Sequence, residues 1–193
     1  MGLGAVRDRR SRTLGGLGLG ELVRYAPEYL SELVRHRLDR FDFRYGTDTN
    51  RWVPAAGLGG VGGHPESAEM YWPVREGSFR RMLATIEMPL EGFTVIDLGS
   101  GKGRALMLAA ELPFRRIIGV EFSAKLCVVD ERNLGLMRRV RNRMPPTEVV
   151  HQDAVEFDFP AGPLLLFLFD PFGPAVLRLV VARLLASLAA SPR

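Results

Sequence analysis

The 193-residue chain contains a single cysteine, Cys127, and three histidines. One thiol excludes a disulfide framework and a cysteine-rich zinc site, and no metal is expected; a chain so poor in cysteine reads as intracellular and cytoplasmic. Long apolar runs are also missing. None reaches the roughly 20 residues of a membrane-spanning helix, so no membrane partner is expected. The N-terminal "MGLGAVRDRRSRTLGGLGLGELV" interrupts its apolar residues with glycine and so lacks the continuous apolar core of a secretory signal. Val6 stands where a myristoylation signal has Ser or Thr.

Lysine is almost absent: all but Lys102 and Lys125 of the 26 cationic residues are arginine. A pI near 9.7 and a net charge of +4 invite a nucleic-acid partner. The arginine bias runs through the whole composition, however, and the tightest run, "RRVRNR" at Arg138 to Arg143, falls where a helix should end and a cation is stabilised by the helix dipole.

Hydrophobic residues make up 47% of the chain, enough for one core and hardly for two. We read residues 1–66 as a helical extension followed by a Gly/Pro-rich loop, and 67–193 as one ligand-binding domain. Leu30, Leu33, Val34 and Leu38 recur at helical spacing, predicting an amphipathic helix from about Pro27 to Asp39. "WVPAAGLGGVGGHPE", Trp52 to Glu66, reads as a mobile loop that orders over a ligand. The first 20 residues, rich in glycine, read as poorly ordered. Phe79, Met82, Leu83 and Ile86 then mark a second amphipathic helix.

From Phe93 onward, apolar β-branched runs alternate with helical ones: strands in "FTVIDLG", "RRIIGVEF", "TEVVHQD" and "PLLLFLFDPF", helices in "GRALMLAAEL", "SAKLCVVDERNLGLMRRV" and "PAVLRLVVARLLASLAA". Nearly continuous apolar strands between helices belong to a mostly parallel sheet covered on both faces, a Rossmann-like, doubly wound α/β fold. Ligands in such folds bind beyond the C-terminal ends of the strands. Those ends are "DLGSGKG" (Asp97 to Gly103), Glu121-Phe122, Asp153-Ala154 and Asp170-Pro171-Phe172. Three alternate glycines, Gly99, Gly101 and Gly103, bare the backbone at a helix N-terminus. Glu121 follows at about the 20-residue interval at which a carboxylate reaches ribose hydroxyls, which points to an adenosine-containing ligand. A dinucleotide is disfavoured. Its fingerprint would need Gly or Ala where Arg104 stands, and Asp97 would repel a pyrophosphate yet hold a cationic amino group.

With these residues in place, the sequence resembles the class I S-adenosylmethionine-dependent methyltransferases, in particular their small bacterial members, over about Tyr71 to Leu188. "VIDLGSGKGR" resembles the family's first motif, "IIGVEFS" the acidic end of its second strand, "HQDAVEF" its third-strand segment and "FLFDPFG" its fourth-strand motif. The resemblance implies that Asp97 and the Gly99-Ser100-Gly101 backbone, with Gly103, hold the methionine part of S-adenosyl-L-methionine. Glu121 would bind the ribose, Phe122 would lie on the adenine, Asp153 would accept from its amino group and Ala154 would offer a backbone N–H. Tyr71 would close over the cofactor. Asp170, Pro171 and Phe172 resemble a motif that orients an acceptor nitrogen, lacking its second proline; Asp170-Pro171 equally suits a strand end capping the next helix.

Some alternatives stay open. Asp153 also fits a turn cap, Phe122 and Tyr71 also fit core aromatics, and His151 reads as an ordinary strand residue. Cys127 reads as a small buried hydrophobe. The implied function is methyl transfer by in-line displacement to a nitrogen on a protein side chain or small molecule. The alternative is a catalytically incomplete cofactor-binding or interaction module, with a nucleic-acid enzyme third. The family's seven strands end in an antiparallel hairpin, and the chain is expected either to lack those last strands or to be a fragment or early-terminated version of a longer protein. An uncovered sheet edge would then favour homo-oligomers.

Overall fold

The structure, a computed structural model, describes residues 40–54 and 70–192 together with Val34, Leu58 and Gly60. The expected helix at 27–39, the order of residues 1–20 and most of the 52–66 loop lie outside these residues.

Four parallel strands form the sheet: β1 (Thr94–Leu98), β2 (Arg116–Glu121), β3 (Thr147–His151) and β4 (Leu164–Phe167), in the spatial order β3-β2-β1-β4. The helices are α1 (Phe41–Tyr45), α2 (Glu76–Leu83), α3 (Arg104–Ala109), α4 (Ala124–Val140) and α5 (Pro174–Ala190). The fold is the expected Rossmann-like α/β arrangement. β1 sits at its centre, with Asp97 opposite Gly119 of β2 and Phe167 of β4.

The period of two along the strands divides the core. Val95 and Ile117 face one layer, where they pack with Phe41, Phe79, Leu106, Leu134 and Met137. Ile96, Leu98, Ile118 and Val120 face the other, against Val176 and Val180 of α5 and the aromatics Phe157 and Phe159. Each fully buried aliphatic side chain contributes roughly 1.5–3 kcal/mol. All five residues of β1 are buried, the polar Thr94 and Asp97 among them.

The element boundaries match the hydrophobic patterns closely; α5 spans Pro174–Ala190 with its proline in the first turn, where the missing N–H costs nothing. α2 is shorter than its spacing predicts. Phe79 is buried and Leu83 packs on the core, but Met82 is 45% exposed and Ile86 falls beyond the helix. The Thr85 hydroxyl donates to Met82 O at 2.7 Å, a local bond that competes with helix continuation. α4 ends at Val140 inside the arginine run, and Arg138 donates to Thr147 O at 2.9 Å, in keeping with a cationic helix terminus.

Candidate functional site

Chain order moves outward from β1 through β2 to β3, then returns to the other side of β1 at β4. Crossovers to opposite faces part at such a reversal, leaving a crevice at the strand C-termini. There the structure opens a cleft lined by Asp97, Gly99, Ser100 and Gly101 after β1, Glu121 and Phe122 after β2, Asp153 and Ala154 after β3, and Asp170, Pro171 and Phe172 after β4. Tyr71 lines it from the N-terminal side. The segments selected on sequence thus meet at one place. Gly103 alone among the selected residues does not line the cleft; it caps α3 with φ of 81° and packs against Asp130 of α4.

The glycine turn is bare because its neighbours press on it. A Cβ at Gly101, whose φ is 60°, would lie 2.2 Å from the Tyr71 ring. One at Gly99, φ 84°, would lie 2.4 Å from Pro171 Cβ, so the Asp170-Pro171-Phe172 turn rests directly on the glycine turn. Asp170 takes a left-handed φ of 52°, a conformation Asp tolerates better than most residues, and is exposed.

The cleft is strongly acidic. Asp97 is 3% exposed and accepts no hydrogen bond from the described residues; burial, then the nearby Glu121 carboxylate, push its pKa up to about 8. Such a group is left wanting a cation. Glu121 is buried too, and burial raises its pKa, opposed by backbone bonds. Its Oε2 accepts from Gly101 N at 2.8 Å and its Oε1 from Ser123 N at 2.9 Å, so one carboxylate ties the β1 turn to the end of β2. A carboxylate has about four acceptor sites, so these backbone bonds leave it room for a further donor.

Asp153 caps the turn, its Oδ1 accepting from Val155 N at 2.9 Å, and the residue lines the cleft. Phe122 is half-buried, with Gly60 packed on its ring, and Ser123 Oγ donates to Leu58 O at 2.8 Å. His151 ends β3 exposed, its Nε2 3.1 Å from Phe122 O. Cys127 is buried as expected, and burial pushes its thiol up to about 12.

The cleft encloses about 90 Å³.

Sequence reasoning missed the cationic side of the glycine turn. Lys102 and Arg104 are 4% and 1% exposed. Lys102 Nζ pairs with Asp48 Oδ2 at 3.1 Å; Arg104 Nη1 donates to Thr49 Oγ1 at 3.0 Å, and its guanidinium lies 4.6 Å from the Phe41 ring centroid. Buried cations need such partners, and a desolvated cation–π contact is worth about 2 kcal/mol. The available signal was the polar turn "GTDTN" directly after an aromatic helix, a cluster suited to side-chain-to-backbone bonds. Trp72, Gln152 and Phe169 also line the cleft and were not singled out.

No protein-family model matches the chain, and no curated protein matches it. Among solved structures it is similar to a protein of Pyrococcus horikoshii designated an RNA methyltransferase, at 20% identity over 67% of this chain and 61% of that one, TM-score 0.48. It is similar to a protein of Listeria monocytogenes designated an S-adenosylmethionine-dependent methyltransferase, at 18% identity over 48% and 41%, TM-score 0.35. A third is phosphoethanolamine N-methyltransferase 1 of Haemonchus contortus, in complex with phosphoethanolamine and S-adenosylhomocysteine, at 25% identity over 48% and 18%, TM-score 0.37. The chain spans less than two thirds of the length of each.

Proposed function

We propose that the chain is an S-adenosylmethionine-dependent methyltransferase acting on a nitrogen acceptor of a protein side chain or small molecule. One observation carries this reading: Asp97, a buried carboxylate that accepts no side-chain hydrogen bond among the described residues, sits beside a bare glycine turn in a cleft that gathers all four strand ends. A ligand ammonium answers the charge Asp97 cannot otherwise hold, and a ligand phosphate would not. The donor set fits the rest of the cofactor in kind. Glu121 has acceptor sites for ribose hydroxyls, Phe122 an aromatic face, Asp153 a second carboxylate oxygen and Ala154 a backbone N–H.

When bound, S-adenosylmethionine supplies a methyl group activated by its sulfonium, which passes to a nitrogen lone pair and leaves S-adenosylhomocysteine. The chain's own residues bind, orient and exclude water. Asp97, ionised, anchors the amino group, and Glu121 fixes the turn while receiving the ribose. Asp170, whose neighbour Pro171 lies against the glycine turn, accepts a hydrogen bond from the attacking amine and takes its proton. Phe172, beside it, offers an apolar wall that keeps the amine uncharged.

Tritium-labelled S-adenosylmethionine incubated with the chain and with amine, protein and nucleic-acid fractions tests the proposal. Label should appear as N-methyl groups in the protein or amine fraction and fall about 10²-fold with Asp170→Asn. Cofactor binding with no transfer to any fraction would leave a cofactor-binding module instead. Label in nucleic acid would refute the acceptor class.

A further inference from the structure

We infer that the Thr47–Asn50 turn is a strap that positions Tyr71 and the glycine turn for the cofactor, with Thr49 as its positioning residue; this rests on the methyltransferase reading above. The strap begins at Asp42 in α1, whose carboxylate accepts from Thr47 Oγ1 at 2.8 Å, from Thr49 N at 2.9 Å and from Asn50 N at 2.7 Å. One acidic side chain thus winds the following polar residues into a fixed turn.

Thr49 is wholly buried and bonded in three directions. Its hydroxyl donates to Asp42 Oδ1 at 2.6 Å and accepts from Arg104 Nη1 at 3.0 Å. Its carbonyl accepts the Tyr71 hydroxyl at 2.7 Å. A neutral hydroxyl standing between a carboxylate and a guanidinium makes two charge-assisted bonds, about twice as strong as neutral ones. Asp48 fastens the other side: Lys102 Nζ lies 3.1 Å from its Oδ2, and its N–H donates to Asn133 Oδ1 at 3.0 Å, while Asn133 Nδ2 donates to Lys102 O at 2.9 Å.

Two residues of the glycine turn and its helix, Lys102 and Arg104, are therefore held by a segment more than 50 residues earlier, which also holds the ring that covers Gly101. Thr49 does not line the cleft; Tyr71 and Arg104 do. Thr49 acts on the ligand through them. The bond from the Tyr71 hydroxyl to Thr49 O sets where the ring stands against Gly101 at the edge of the cleft.

The test uses the full chain. S-adenosylhomocysteine affinity is measured by calorimetry for the wild type, Thr49→Val, Thr49→Ser, Tyr71→Phe and the double variant Thr49→Val/Tyr71→Phe. Thr49→Val removes the hydroxyl at nearly constant volume, and Asp42→Asn replaces it if Thr49→Val does not fold. We expect each of Thr49→Val and Tyr71→Phe to weaken binding about tenfold. The double variant should be no worse than the weaker single one, and Thr49→Ser should restore the wild-type value. Amide exchange without ligand should quicken in Thr49→Val at Tyr71 and Gly99 to Gly103, and stay unchanged in β2. Additive losses, or unaltered exchange at the glycine turn, overturn the strap. A wild type that fails to bind overturns the methyltransferase reading, and the exchange measurement then decides the strap alone.

Discussion

Asp97 makes ligand binding a proton-release reaction. With its pKa near 8 in the ligand-free cleft, the carboxylate is ionised in only about one molecule in eleven at pH 7 and one in a hundred at pH 6. A ligand ammonium needs the ionised form, so it must expel the proton first. Binding of S-adenosylhomocysteine should therefore strengthen about ninefold from pH 6 to pH 7, and release close to one proton at pH 7. Calorimetry in two buffers of different ionisation enthalpy counts that proton directly. Asp97→Asn should bind weakly at every pH and release none. Affinity that stays constant between pH 6 and 7.5, with no proton released, would refute the reasoning, because Asp97 would then already be ionised or would not meet the ligand's charge.

The same carboxylate sets a stability trend. Because its folded pKa lies above the ordinary value of about 3.9, the folded state binds the extra proton, and stability falls as pH rises from about 4 to 8. Asp97→Asn should therefore gain thermal stability over the wild type as pH rises from 5 to 8, and melting curves that keep a constant separation would contradict this. Gly101→Ala puts a Cβ 2.2 Å from the Tyr71 ring at a left-handed φ; it should cost about 1–3 kcal/mol in denaturant melts and most of the ligand affinity, and Tyr71→Ala should recover part of that stability. Cys127, buried with its thiol pushed up to about 12, should resist alkylation by iodoacetamide at pH 7.5 and react at least a hundredfold faster in denaturant. Rapid labelling of the folded chain would show that α4 does not turn Cys127 inward.

The features legible in the sequence are those written as periods. Val95-Ile96 and Ile117-Ile118 are adjacent apolar pairs because both faces of the sheet are covered, and α5 follows its pattern to the residue. Strand order then places the residue that ends each strand, which is why Asp97, Glu121, Asp153 and Asp170 meet around one cleft. The strap was not legible. Asp42, Thr49 and Arg104 join across a long stretch of chain by individual hydrogen bonds, which leave no period, and Arg104 read only as the residue that breaks a dinucleotide fingerprint. Glu121 was legible as the carboxylate that closes β2 at the cleft; that it also ties Gly101 to Ser123 was not, because both partners are backbone amides that any sequence supplies. Met82 shows the opposite error, a residue on helical spacing that stays exposed while Phe79 and Leu83, four apart, take the core-facing side.

Calorimetric titration of S-adenosylmethionine and S-adenosylhomocysteine into the chain at pH 8, beside Glu121→Gln, tests the central claim most directly. In the variant an amide NH2 replaces an oxygen that accepts a backbone N–H and would accept a ribose hydroxyl. The account predicts one-to-one binding of both ligands by the wild type, weakened at least about tenfold in Glu121→Gln. A folded wild type that binds neither would contradict it.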